Sequence, residues 1–258
     1  RLIEKPLIAF YYNRPMPKGK GGVQKFTIFT SKKGGLTAMI YVTADLHGDA
    51  TRLHTKEIRR LKKGDTLIVL GDFGFLWQGT PKEKKLLKKL GKKKYQILFL
   101  DGAHENFDLL EQYPVEEWGG GQVRRIDGNL RYLMRGQVYV IEGKRIFTMG
   151  GGESDEKEMR AQQQKWFSQE LPSPQEMQDA RENLERFRWS VDYVLTHDCS
   201  EKMKIFLSMG QQSNSLNQFL TEIERKLQFH KWFFGFYHLD KQIPPRHCAV
   251  YQSVRPLD

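Results

Sequence analysis

Met39-Ile40-Tyr41-Val42-Thr43-Ala44-Asp45-Leu46-His47 carries an apolar, β-favouring run straight into an Asp-x-His triplet. Two runs of the same kind follow: Thr66 to Leu70 leads into Gly71-Asp72, and Gln96 to Leu100 leads into Gly102-Ala103-His104-Glu105. All three are short and rich in Ile, Val, Leu and Phe. They lack polar alternation, as expected of strands covered on both faces. Helical patterns separate such runs along the chain, which is the rhythm of an α/β fold.

Three helices are spelled out by their ends. Thr80-Pro81-Lys82-Glu83 sets a capping hydroxyl, a proline at the first helical position and a carboxylate at the third, ahead of Leu86, Leu87 and Leu90, with Gly91 as the stop. Ser173-Pro174-Gln175-Glu176 repeats the device ahead of Met177, Ala180, Leu184 and Phe187. Leu216, Phe219, Leu220, Ile223 and Leu227 recur at spacings of three and four, the stripe of a third helix. Between residues 122 and 149 the texture turns to hairpins, with Asp127-Gly128-Asn129 and Glu142-Gly143-Lys144 each dividing two strand-like runs. These imply a second, more antiparallel sheet.

The 258 residues, 39% of them hydrophobic, suffice for one catalytic-sized domain, placed at residues 39–258. Residues 1–38 carry eight cations against Glu4 and are rich in Gly and Pro, the mark of a loose basic arm with at most one short strand, Phe26 to Phe29. The formal charge is +11, of which the arm holds +7 and the rest +4. Nucleic acid is thus a partner to weigh through the arm, though not the favoured one. No run of eighteen apolar residues exists, so no membrane partner is expected. The only cysteines, Cys199 and Cys248, are too few for a disulfide framework. Reduced thiols in the cytoplasm are the expectation.

The metal-ligand residue types cluster where the apolar runs end. Besides Asp45, His47, Asp72 and His104, Tyr193 to Leu195 leads into Thr196-His197, and Trp232 to Phe234 leads into Gly235-Phe236-Tyr237-His238. In an open α/β sheet the carboxyl ends of the strands line one crevice, so segments remote in sequence can converge there. Carboxylate and imidazole donors without thiolate suit manganese, iron, zinc or a similar divalent ion.

This order of motifs resembles the calcineurin-like metallophosphoesterase family, whose pattern reads D-x-H, G-D, G-N-H-(D/E), a lone H, then G-H-x-H. Gly71-Asp72-Phe73-Gly74, Tyr113 to Trp118, Met134 to Gln137 and Trp232 to Gly235 resemble its small bacterial branch. The resemblance implies an α/β fold, a four-layer α-β-β-α sandwich of two mixed sheets flanked by helices, and hydrolysis of a phosphomonoester or phosphodiester by metal-activated water. It also implies manganese as the metal, with iron, zinc or nickel as alternatives. Carried over, it makes Asp45, His47 and His238 ligands of a first metal, Asp72 the bridging carboxylate, His197 a ligand of the second metal and His104 the catalytic acid. The family's other two second-metal ligands fall on Ala103 and Phe236, whose side chains offer no lone pair. One firmly bound ion and weak or absent turnover is the expectation, with a catalytically silent phosphate- or nucleic-acid-binding module as the alternative.

Gly150-Gly151-Gly152 lacks the Lys-Ser/Thr ending of a phosphate-cradling loop, but the resemblance places it near the crevice, where Asp155 or Arg160 could touch substrate. The eight lysines between Lys82 and Lys94 read as a solvated helix face, because no aromatic residue is interleaved for base stacking. Oligomeric state and substrate class are not legible.

Overall fold

The computed structural model describes residues 38–154, 156–162, 166–209 and 213–258. The basic arm up to Thr37, its expected strand at Phe26 to Phe29, and Asp155 lie outside the described residues.

Strands β1 (Ile40–Thr43), β2 (Thr66–Leu70) and β3 (Gln96–Leu100) pair in parallel, Val42 beside Ile68 and Ile68 beside Leu98. Alternate side chains go to opposite faces, as strand geometry requires. Leu67 and Val69 thus point to one buried cluster, and Ile68 and Leu70 to another. The same sheet continues through β4 (Val115–Trp118), β5 (Gly121–Asp127) and β6 (Leu130–Leu133), with β6 parallel to β3 and β4 at the edge.

The second sheet holds β7 (Gln137–Ile141), β8 (Lys144–Met149), β9 (Tyr193–Thr196), β10 (Lys231–Phe234), β11 (Lys241–Ile243) and β12 (His247–Ala249), in the order β11-β12-β10-β9-β8-β7. Finally β13 (Arg255–Pro256) returns to pair with β1. The second sheet is not the antiparallel one that the hairpin texture implied. Its β8, β9, β10 and β12 run parallel, and antiparallel pairs occur only at its two edges.

The two expected hairpins also part company. The one turning at Glu142 and Gly143 joins the second sheet, while the one turning at Gly128 joins the first. The cause is local anchoring: Asn129 N donates to Gly91 O at 2.9 Å, Asn129 Nδ2 to Lys93 O at 2.8 Å, and Ile97 N to Asn129 O at 2.9 Å. These bonds lay β6 against β3 before the chain can reach the other sheet.

Helices cover both outer faces. α1 (Lys56–Arg59) and α2 (Pro81–Gly91) set Ile58, Leu87 and Leu90 against the outward residues of the first sheet, joined by Leu110 from α3 (Phe107–Glu111). Each fully buried Leu or Ile is worth roughly 1.5–3 kcal/mol relative to exposure. α4 (Lys157–Gln162) precedes α5 (Pro174–Arg186), α6 (Glu201–Phe206) and α7 (Ser215–Lys226), and the last three pack Met177, Leu184, Met203, Leu216 and Ile223 on the second sheet. Between the sheets lies a third cluster that includes Val42, Leu70, Ile146, Leu195 and Phe233. The result is the expected α-β-β-α sandwich. The capping boxes at Thr80 with Glu83 and at Ser173 with Glu176 are both formed.

Candidate metal centre

The carboxyl ends of β1, β2 and β3 in one sheet and of β9 and β10 in the other meet at one end of the sandwich. Backbone bonds stitch the exit loops side by side: Asp45 N to Gly71 O, His47 N to Asp72 O and Gly235 N to His197 O, at 3.2, 2.8 and 3.0 Å. Two glycines allow the approach. A Cβ on Gly71 would stand 2.0 Å from His197 Nδ1, and one on Gly102 would stand 2.1 Å from Asp72 Oδ1. Asp45, His47, Asp72, Phe236 and His238 all have φ between 46° and 67°. For a residue with a Cβ, such left-handed backbone costs roughly 1–2 kcal/mol. Strain of this kind collects where surrounding structure holds functional groups in place.

The donors come together as the sequence order suggested. Ligand atoms of Asp45, His47 and His238 lie within 4.8 Å of one another, as do those of His47, Asp72 and His104, and those of Asp45, Asp72 and His197. His47 Nε2 is 3.2 Å from His238 Nε2, and His47 Nδ1 is 3.7 Å from Asp72 Oδ2. Within that frame, Asp45 Oδ2 and His197 Nε2 are buried without a hydrogen-bond partner. Buried polar atoms left unpaired cost roughly 1–3 kcal/mol each, so two of them aimed into a cluster of carboxylates and imidazoles are what a cation would satisfy. The residues present therefore fit a divalent metal.

Electrostatics divide the donors. Burial pushes the Asp45 carboxyl up to about 7, with His197 opposing and the neighbouring Asp72 adding to the push. Burial would also raise Asp72, but the charge of His197 and two hydrogen bonds from His104 outweigh it and hold that carboxyl well below the usual range. His197 is fully buried, which disfavours its charged form, yet Asp72 and Asp45 raise it above its ordinary value. Burial lowers His47 and His238, with Asp72 opposing, which favours the neutral imidazole and its lone pair.

His104 is fastened twice to Asp72: its backbone N donates to Oδ1 and its Nδ1 pairs with Oδ2, both at 2.7 Å. Its side chain remains 37% exposed. Ala103 is wholly buried, and the Phe236 ring packs edge-on against His197 with centroids 5.2 Å apart. The Gly150-Gly151-Gly152 loop does come to the crevice, since a Cβ on Gly152 would meet His197 Cδ2 at 2.9 Å and Phe236 at 3.2 Å. Beside Phe236 opens a cavity of about 780 Å³ whose walls include Glu153, Ser154, Asp198 and Lys204. Arg160 is buried, with its guanidinium 2.7 Å from Glu170 Oε1 and donating to Ala103 O at 2.9 Å.

Sequence reading passed over Arg52 and Tyr251. Arg52 donates to Asp45 O at 2.7 Å, to Ala44 O at 3.0 Å and to Tyr251 O, while the Tyr251 ring stacks on His238 with centroids 4.5 Å apart. No spacing links residues 199 positions apart, so no local signal could have found them. A family model for the calcineurin-like phosphoesterases matches residues 38–235, and so takes in every candidate donor except His238. Comparison with curated proteins gives no match.

Proposed function

The chain belongs to the calcineurin-like phosphoesterase family, and from that premise we propose that it hydrolyses a phosphomonoester or phosphodiester with one divalent cation, manganese before iron, zinc or nickel. Asp45, His47, Asp72 and His238 would hold it. When bound, such an ion supplies Lewis acidity and brings the ionisation of a coordinated water toward neutral pH. The observation that carries this reading is the orphaned buried atom Asp45 Oδ2, on a carboxylate with a ligand atom within 4.8 Å of those of His47 and His238.

The remaining chemistry is the protein's own. Asp72, held ionised by its neighbours, orients the His104 ring through Nδ1. The other ring nitrogen, on a side chain more than a third exposed, is placed to protonate a leaving oxygen. The cavity beside Phe236 offers room for the body of a substrate; Asp155 and Arg160 are proposed as substrate contacts on the family resemblance alone.

A second reading has its own observation. Phe236 and Ala103 stand where the family carries two ligands of a second cation, which leaves Asp72 and His197 alone on that side. Two cations are what neutralise charge through an in-line displacement, so turnover here would be low, and the crevice would serve to hold a phosphorylated partner. Metal analysis combined with hydrolysis of an aryl phosphate monoester and diester in manganese separates the readings. One equivalent of metal with chelator-sensitive turnover supports the enzyme. One equivalent without turnover supports the binding module. Two equivalents, or none, would sink the single-ion proposal.

A further inference from the structure

We infer that the outer face of the first sheet is a docking surface for the phosphate backbone of a double-stranded nucleic acid. Read along the chain, the lysines between Lys82 and Lys94 form one basic segment among solvated helices. The fold sets a second segment beside it. Ile58 and Leu61, which anchor residues 56–63, and Leu87 and Leu90, which anchor α2, bury in the same layer over Leu67, Val69, Ile97 and Phe99. The two segments therefore share one face.

Both segments are strongly cationic. All five cations of residues 56–63 are exposed, as are seven of the eight lysines of residues 82–94, Lys93 being half-buried. Within the two segments only Glu57 and Glu83 oppose them, and Glu83 is spent on the backbone N–H groups of Gln78 and Thr80 at the helix start; Asp127, packed against Gly91, and Asp108 and Glu111 of α3 stand outside the segments on the same side. Among the described residues none of the thirteen cations enters an ion pair, whereas cations elsewhere do, such as Arg131 with Glu116 and Arg181 with Glu222. The two segments carry a net +11, which leaves the rest of residues 39–258 at −7. The near-neutral total of the domain hides a segregated charge.

An ordinary solvated helix mixes signs. α2 and the turn after it instead set lysine against lysine four residues apart at 84 and 88, 85 and 89, 88 and 92, and 89 and 93. Each like-charge pair costs roughly 0.2–0.5 kcal/mol, and among the described residues none of these lysines is in an ion pair that would offset it. A polyanion would offset all of them together.

The shape of the face narrows the class of polyanion. No aromatic or aliphatic side chain of the two segments is exposed, so it has nothing to stack on the bases of a single strand or to sink into a bilayer. α2 joins two parallel strands, so it begins at the end of the sheet where the metal donors sit and runs back along the strands. Its eleven residues span roughly 16 Å, over which a duplex carries roughly ten phosphate charges.

The test is binding of the full-length protein to a fluorescent duplex of about 20 base pairs, over a range of salt concentrations and in the presence of chelator. The chelator separates this surface from the metal chemistry, because backbone docking needs no cation. Changing Lys84, Lys85, Lys88 and Lys89 together to Gln is expected to weaken binding at least tenfold and to lower the log–log salt slope by roughly 3 to 4, at about 0.9 per phosphate contact. The same four positions changed to Arg should retain affinity. Full affinity and an unchanged slope in the Gln variant would overturn the proposal, since the contacts would then lie elsewhere. So would an absence of duplex binding at roughly 50 mM salt. Binding to vesicles of about 30% phosphatidylserine in phosphatidylcholine, with none to duplex, would overturn it in favour of a lipid surface.

Discussion

The two sides of the crevice differ more than their shared backbone frame suggests. On one side Asp45, His47 and His238 hold three donors within 4.8 Å, braced by Arg52 and by the Tyr251 ring. On the other side His197 faces the Phe236 ring, and Ala103 is buried. Left-handed backbone occurs on both sides: φ is 46° to 50° at Asp45, His47 and His238 and 67° at Phe236. Backbone shape and donor chemistry are therefore separable: the left-handed turn at Phe236 is present although its side chain offers a metal no lone pair.

Breaking the better-furnished side should have the largest effect. His238→Ala removes a donor whose partner nitrogen on His47 is 3.2 Å away, and metal affinity measured by calorimetry is expected to fall by more than about 100-fold, since even outer-shell partners are worth 10–100-fold. Unchanged affinity would show that the ion is held elsewhere. Rebuilding the poorer side comes next. Ala103→Asn with Phe236→His should add a second equivalent of metal and raise turnover on the order of tenfold or more if charge neutralisation is what is missing. Histidine also tolerates positive φ better than phenylalanine, so a loss of folding in this variant would argue against the retained frame.

A smaller effect tests the bracing. Tyr251→Ala should weaken metal binding by about 10-fold through a less constrained His238 ring, and Tyr251→Phe should restore it, because the stack needs the ring and not the hydroxyl. If the Phe variant fails as badly, the contact is not the stack.

The smallest is a pH dependence. Asp45 lies at about 7, above its ordinary 3.8, so in the metal-free protein it contributes stability that is complete below 3.8 and is lost as pH rises through about 7. A cation needs the carboxylate and must displace that proton at lower pH. The rise in Tm on adding manganese should thus be larger at pH 8 than at pH 6, by a few degrees on the scale of about 1–2 kcal/mol. The reverse order would mean that Asp45 is not a ligand.

Much of this was legible along the chain. β2 and β3 begin and end at the expected residues, and the helices after Thr80 and Ser173 start at the expected caps, because a strand's run and a cap's hydrogen bonds involve neighbours within a few positions. The convergence of the five candidate donors was legible for a different reason: each follows a strand, and parallel strands put their carboxyl ends together. The hairpin around Gly128 was misassigned because its sheet was chosen by Asn129 bonding to Gly91 and Lys93 at the end of α2, a contact across more than thirty residues.

The sequence by itself determined which segments are strands and helices, where they stop, and which side chains stand at the stops. Only the tertiary structure decided that Asp45 Oδ2 and His197 Nε2 are buried without hydrogen-bond partners, that Tyr251 lies on His238, and that the basic segments at 56–63 and 82–94 bury their apolar residues in one layer. The first set follows from steric and hydrogen-bonding preferences that act over one or two turns of chain. The second depends on burial and through-space charge, which act between residues that no sequence interval relates.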